Sequence, residues 1–196
     1  MKGITSVSKN NINTECYWNN RYLEKSTNHG TSALETIIEW LDRNVEIKDS
    51  DNIIDIGSGP KEDGSFLSKI KNTHNSNCYS MDISGEICSS WNGFGVESKK
   101  GSLPKIDFPD SFFDIVLCSH VLEHVSMLEE SIGEIKRVTK SGGIIIINSP
   151  IGIGWGTEPE HVWWFSEKLD FGLGKIIDSF EGNQYMSMVQ IYVNMS

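Results

Sequence analysis

The octet Ile53 to Pro60, I-I-D-I-G-S-G-P, constrains this chain more than any other stretch. β-Branched residues run up to two glycines separated by one serine, with Asp55 just ahead of them. β-Branched side chains favour strands, and glycine permits sharp turns and close backbone approaches where a Cβ would clash. A strand that ends this way predicts an open α/β sheet whose first strand stops at a ligand. Such sheets bind ligands at the carboxyl ends of their strands. Asp55, Gly57 and Gly59 are therefore candidate ligand contacts.

Spacing narrows the ligand. Counted from Gly57, the dinucleotide fingerprint G-x-G-x-x-G would put its third glycine at Glu62, and Pro60 directly follows Gly59, so that reading fails. A phosphate-binding P-loop fails too, because no Gly-Lys-Ser/Thr follows the turn. The 196 residues suit one domain with a substantial core. A formal net charge of -10 repels phosphate backbones, so nucleic acid is not an expected partner. Cys16, Cys78, Cys88 and Cys118 form no C-x-x-C pair, which points to free thiols in a reducing compartment. Residues 1–13 are polar and Asn/Ser-rich, without the apolar core of a secretory signal, and read as a mobile leader. No apolar run reaches membrane-spanning length. The expectation is a cytoplasmic monomer or homodimer with no membrane insertion.

Periodicity supplies the other elements. Glu15 to Leu23 is aromatic-rich and reads as a short helix. Ala33, Leu34, Ile37, Ile38 and Leu41 recur at helical spacing behind the candidate caps Thr31 and Ser32. Strands are expected at 52–56, 77–82, 96–101, 112–118 and 144–148, with helices at about 64–71 and 128–138. A helical turn is expected at 166–173. Strands at 174–180 and 185–194 follow, joined across 181–184. Strands alternating with helices predict a Rossmann-like, doubly wound, mainly parallel sheet with helices on both faces. The organisation expected is a leader and covering segment at 1–30 and a single domain at 31–196.

Three strand ends carry polar residues: Asp55 with Gly57 and Gly59, then Asp82, then Ser119 with His120. In a parallel sheet they converge on one crevice. Asp82 is placed to accept both hydrogen bonds of a ribose diol, and Asp55 to meet an ammonium group. A ligand with a ribose, an ammonium and no phosphate fits, and S-adenosylmethionine is such a ligand.

Several segments, in order, resemble the class I S-adenosylmethionine-dependent methyltransferases of the small single-domain type. They are I-I-D-I-G-S-G-P, then Y-S-M-D-I-S at 79–84, F-P-D-S-F-F-D-I-V-L-C-S-H-V-L-E-H-V at 108–125, and R-V-T-K-S-G-G-I-I-I-I-N-S-P at 137–150. The 108–125 match is the most specific. Y-W-N-N-R-Y at 17–22 resembles the segment that folds over the cofactor. The resemblance implies a seven-stranded sheet with an antiparallel last strand. It implies a cofactor site at Asp55, Gly57, Ser58, Gly59, Asp82, Ile83, Ser102, Leu103, Ser119 and His120. Two positions depart from the family. Lys61 stands where a third glycine is common, and Ser102 stands where an acid usually holds the adenine amine. A neutral acceptor is roughly half as strong as a charged one.

His161, in the segment E-P-E-H-V-W-W-F at 158–165, is the leading candidate general base, with His120 second. Imidazole titrates near the pH at which a base removes a hydroxyl proton. Trp18, Tyr22, His124, Trp155 and His161 are the candidate substrate contacts. His120 and His124 stand four apart, but on a helix Glu123 would point elsewhere, so no metal site is expected. The resulting reading is in-line methyl transfer to a hydroxyl of a small molecule, sugar or glycan. The alternative is a non-catalytic protein that binds S-adenosylmethionine or S-adenosylhomocysteine. A nicotinamide-dependent dehydrogenase ranks third, because the third glycine is missing.

Overall fold

The computed structural model describes residues 3–6, 11–24, 31–62, 64–152, 159–166, 169–182 and 187–196. In chain order the elements are β1 (Ile4–Ser6), α1 (Glu15–Glu24), α2 (Thr31–Asn44), β2 (Asn52–Ile56), α3 (Phe66–Thr73), β3 (Asn77–Asp82), α4 (Gly85–Asn92) and β4 (Glu97–Lys100). Then come β5 (Phe113–Ser119), a 3₁₀ turn (Leu122–His124), α5 (Leu128–Val138), β6 (Thr139–Pro150), β7 (Trp163–Phe165), β8 (Lys175–Gly182) and β9 (Ser187–Val193).

Seven strands form one sheet in the order β4-β3-β2-β5-β6-β9-β8. The pairings from β4 through β6 are parallel, and β9 is antiparallel to both β6 and β8. The expected antiparallel last strand is present. It lies inside the sheet, between β6 and β8, rather than on its edge.

The strand residues are apolar on both faces, as a sheet covered on both sides requires. Ile53, Ile115, Leu117 and Ile146 pack under Ile37 and Leu41 of α2, Phe66, Leu67 and Ile70 of α3, and Ile87 and Trp91 of α4. Their neighbours Ile54, Ile56, Val116, Cys118, Ile145 and Ile147 face the other way, onto Leu128, Ile132, Ile135 and Val138 of α5. Asp114, inside β5, anchors the strand ends. It accepts from the Asn52 backbone N–H at 2.8 Å and from Lys140 Nζ at 2.7 and 2.9 Å.

Three sequence expectations change. First, the leader supplies a strand, because β1 pairs antiparallel with β7 in a separate two-stranded sheet. Second, β6 starts at Thr139, directly after α5, so Ser141-Gly142-Gly143 lies within the strand. Third, 169–173 is not helical: Leu169, Phe171 and Leu173 are buried while Asp170 and Gly172 are exposed. That alternation of two belongs to extended chain. The expected link between the last two strands falls partly on 183–186, outside the described residues. Among the described residues no helix is long and apolar enough to cross a membrane.

The glycine turn is tied to the core through Trp91. Its ring is fully buried, and its Nε1 donates to the Gly59 carbonyl at 2.9 Å. Trp91→Ala is expected to lower the unfolding free energy by about 3–5 kcal/mol, the usual cost of emptying a large aromatic site. A denaturant titration measures this, and a loss under about 1 kcal/mol would show that the ring does not anchor the turn.

Candidate functional site

The carboxyl ends of β2, β3 and β5 meet beneath α1 and enclose a cavity of about 250 Å³. Its floor and sides come from Ile56 and Gly57, from Met81, Asp82 and Ile83, and from Gly101, Ser102 and Leu103. His120, Val121, His124, Val125 and Ser126 form the opposite side, and Asn11, Asn13, Trp18 and Tyr22 cover it.

The glycine turn shapes this cavity by an unusual backbone. Gly57 has φ +70° and Gly59 φ +60°, in the left-handed region that favours glycine. The Gly57 N–H donates to the Met81 carbonyl at 2.7 Å. A Cβ on Gly57 would collide with the Val121 side chain.

Asp82 is buried and held by backbone. One carboxyl oxygen accepts from the Gly59 N–H at 3.0 Å and the other from the Ser84 N–H at 2.9 Å. Asp82 does not cap α4; Ser84 does, accepting from the Ile87 N–H at 3.2 Å. A carboxylate offers about four lone-pair sites, and the Ile83 N–H draws on them as well. The Tyr22 hydroxyl takes part of that capacity by hydrogen-bonding Asp82. Burial raises the Asp82 pKa, against the pull of these hydrogen bonds. Burial and the neighbouring Asp82 raise the Tyr22 hydroxyl as well.

Asp55 lies fully buried behind the cavity wall. Its pKa is raised well above the ordinary range, by burial first and by the charge of Asp82 second. Two carboxyl groups so placed create a demand for positive charge.

The segment after β5 departs from the expected helix. His120 adopts φ +54°, and Leu122–His124 is a 3₁₀ turn. The His120 N–H donates to the Asn148 carbonyl at 2.8 Å, which carries the chain across the end of β6. His120 stands on the cavity wall with 36% of its side chain exposed, and Nδ1 lies 3.3 Å from Glu123 Oε1. Glu123 is completely buried. Burial pushes its carboxyl up, but His120 and His124 beside it hold it below the ordinary value. His124 is pushed down by burial first and by His161 as well. The His124 ring stands edge-on to Trp18 at 5.0 Å and to His161 at 4.9 Å.

The expected site residues therefore divide. Gly57, Asp82, Ile83, Ser102, Leu103, His120, Trp18, Tyr22 and His124 line the cavity. Asp55, Ser58, Gly59 and Ser119 act from behind it. Gly59 serves Asp82 and Trp91, and Ser119 Oγ accepts from Asn148 Nδ2 at 3.0 Å. His161 is buried beneath His124 and does not reach the wall. Trp155 lies outside the described residues. Asn11 and Asn13 carry no sequence signal of a role, because only tertiary packing brings them to the site. Asn13 Nδ2 bridges the carbonyls of His124 at 3.1 Å and Glu160 at 2.8 Å. Arg21 pairs with Glu160 at 3.0 Å, and the Val162 N–H donates to the Glu123 carbonyl at 2.8 Å. These bonds bring 160–162 against the 3₁₀ turn and fix α1 over the cavity.

Comparison with known proteins agrees with this geometry. The methyltransferase domain family matches residues 54–147. Ajmaline N-methyltransferase of Rauvolfia serpentina is 32% identical over 108 residues, covering 51% of this chain and 36% of that protein. A sterol 24-C-methyltransferase of Gibberella zeae is 32% identical over 111 residues, covering 54% of this chain and 29% of that one. The chain spans about a third of the length of these relatives. The structure of Burkholderia thailandensis 1,6-didemethyltoxoflavin-N1-methyltransferase, bound to 1,6-didemethyltoxoflavin and S-adenosylhomocysteine, superposes with a TM-score of 0.68 at 12% identity. It covers 93% of this chain and 87% of that one. Residues 54–147 are thus similar to the class I S-adenosylmethionine-dependent methyltransferase domain, whose cofactor is S-adenosylmethionine. The site fits that cofactor: Asp82 is a buried acceptor on the cavity wall at the end of β3, and Asp55 supplies a buried carboxyl behind it.

Asp55 also sets a pH dependence. The folded chain holds this proton more tightly than the unfolded chain does. The stability Asp55 contributes is full below the ordinary carboxylate pKa and is lost as pH rises through its raised value. Asp55→Asn is expected to flatten the fall in melting temperature of the ligand-free protein as pH rises above the ordinary carboxylate pKa of about 3.9. It is also expected to weaken S-adenosylhomocysteine binding by about 10- to 100-fold, through loss of a charged contact. An unchanged melting profile together with unchanged affinity would remove Asp55 from the site.

Proposed function

We propose that this chain is an S-adenosylmethionine-dependent methyltransferase that acts on a hydroxyl of a small molecule, sugar or glycan. The observation that carries the hydroxyl reading is the His120–Glu123 pair. An imidazole on the cavity wall lies 3.3 Å from a fully buried carboxylate. An amine attacks through its own lone pair, but a hydroxyl has a proton to lose. The pair supplies a proton acceptor and a counter-charge for the imidazolium that forms. The S-H-V-L-E-H segment, which resembles methyltransferases of sugar and surface-polysaccharide biosynthesis, supports a sugar hydroxyl within this class.

The cofactor supplies an activated methyl group on a sulfonium. This chain's residues then bind, orient and exclude water. Asp82 takes the ribose diol, with Gly59 and Ser84 fixing the carboxylate. Asp55 balances the ammonium. Met81, Ile83 and Leu103 give an apolar bed for the adenine, with Ser102 at its edge. Trp18 and Tyr22 close over the cavity and shape the acceptor entrance. Positioning of this kind supplies roughly 7–11 kcal/mol of barrier reduction. His120 takes the hydroxyl proton, an effect of about 10²–10⁴-fold. In this arrangement His161 is not the base, because it lies buried behind His124.

Two substitutions separate binding from chemistry. Asp82→Ala is expected to abolish micromolar S-adenosylhomocysteine binding in calorimetry. His120→Ala is expected to leave that binding within about twofold while turnover of a sugar acceptor falls about 10²–10⁴-fold. Loss of binding in folded His120→Ala would show that His120 holds the cofactor instead. Binding by the wild type without turnover of any hydroxyl, amine or carbon acceptor would favour the non-catalytic reading.

A further inference from the structure

We infer that Glu123, His124 and His161 form a binding site for one divalent first-row transition-metal ion beside the cofactor cavity, open toward His120. One ligand atom from each of the three residues lies within 4.8 Å of the others. Some point then lies within about 2.8 Å of all three atoms, and metal–nitrogen and metal–oxygen bonds need about 2.0–2.2 Å. Side-chain shifts well under 1 Å close that gap.

Two further observations point to a cation. The first is Glu123 itself. It is completely buried, and neither of its carboxylate oxygens accepts a hydrogen bond. His120 Nδ1 at 3.3 Å and His124 Nε2 at 3.9 Å hold the carboxyl electrostatically, but neither is a hydrogen bond of good geometry. A buried carboxylate left in this state is costly unless paired or bound to a metal. The second is the orientation of His124. Its Nδ1 lies 3.2 Å from the Glu160 carbonyl. A carbonyl only accepts, so Nδ1 carries a proton, which leaves Nε2 as the ring nitrogen open to a metal. Nε2 faces Glu123 Oε1 at 3.9 Å. A cation between Nε2 and the carboxylate would be held by both. A ligand histidine whose other nitrogen donates to a backbone carbonyl is the usual support of a metal site.

The support is built from distant parts of the chain. Asn13 ties the His124 and Glu160 carbonyls together, and Arg21 holds the Glu160 side chain at 3.0 Å. Two imidazoles with one carboxylate select zinc-like ions over magnesium or calcium, which take oxygen ligands. Three protein ligands leave a position open for a substrate oxygen. The metal's role in catalysis rests on the methyltransferase reading above. An acceptor hydroxyl bound there loses its proton to His120. Its oxygen lone pair forms the new O–CH₃ bond, and the broken S–CH₃ pair returns to sulfur, leaving a neutral thioether. The sequence-based exclusion of a metal assumed an α-helix at 120–124. The 3₁₀ turn instead puts Glu123 and His124 on the same side, and the 160–162 strap brings the third ligand.

The test uses the full chain after chelator treatment and desalting, titrated with Co²⁺. Visible ligand-field bands report the ligands, and Zn²⁺ competition reports the affinity. The expected result is one equivalent of Co²⁺, displaced by Zn²⁺ but not by Mg²⁺. Glu123→Gln and His161→Ala are each expected to weaken Co²⁺ binding at least 100-fold. S-Adenosylhomocysteine binding by both variants is expected to stay within about twofold of wild type, which shows them folded and tests the cofactor site separately. No Co²⁺ binding by wild type that binds S-adenosylhomocysteine would overturn the metal site and leave the cofactor reading intact. Equal Co²⁺ binding by wild type and both folded variants would also overturn it.

Discussion

The structure around the cavity depends on one buried carboxylate. Asp82 sits at the carboxyl end of β3, where a bare charge would be costly to bury. Two backbone N–H groups make it tolerable, and each belongs to a different part of the site. Gly59 is the turn after β2, and Ser84 caps α4. Tyr22 adds a third contact from α1, so the cover over the cavity is coupled to the same group. The glycine turn, the start of α4 and the covering helix are thus positioned by one side chain. A ribose diol would compete with Tyr22 for the same carboxylate.

The second organising feature is the break in helicity after β5. His120 enters the left-handed region, and its N–H bonds the Asn148 carbonyl at the end of β6. The chain then makes a 3₁₀ turn rather than entering a helix at once. Non-glycine residues accept positive φ only where the surroundings enforce it. Here the consequence is chemical. His120 faces the cavity, and Glu123 and His124 face inward toward His161. An α-helix over the same residues would have dispersed them.

Most of the fold was legible because buried parallel strands leave a strong signal. Ile53 to Ile56, Phe113 to Cys118 and Ile144 to Ile147 are nearly continuous apolar runs, and both of their faces are covered. Helices with one buried stripe, such as α2 and α5, were equally legible. Three features were not. β1 and β7 are three residues each, too short for periodicity to show. The start of β6 lies in T-K-S-G-G, whose composition reads as a turn. Leu169, Phe171 and Leu173 alternate, but so few residues do not separate a period of 2 from one of 3.6.

The sequence by itself determined the sheet, its ligand-binding end and the cofactor class. These rest on local patterns: β-branched runs, glycines where a Cβ cannot fit, and acids at strand ends. Tertiary structure alone decided which polar residues share a space. It withdrew His161 from the cavity and left His120 on its wall. It recruited Asn13 and Arg21 to hold the 160–162 strap, and it turned Glu123 inward. Those outcomes depend on backbone torsions at His120 and on hydrogen bonds between residues more than a hundred positions apart. No local pattern encodes such contacts, because each residue type involved is common on surfaces and acquires its role only from what packs against it.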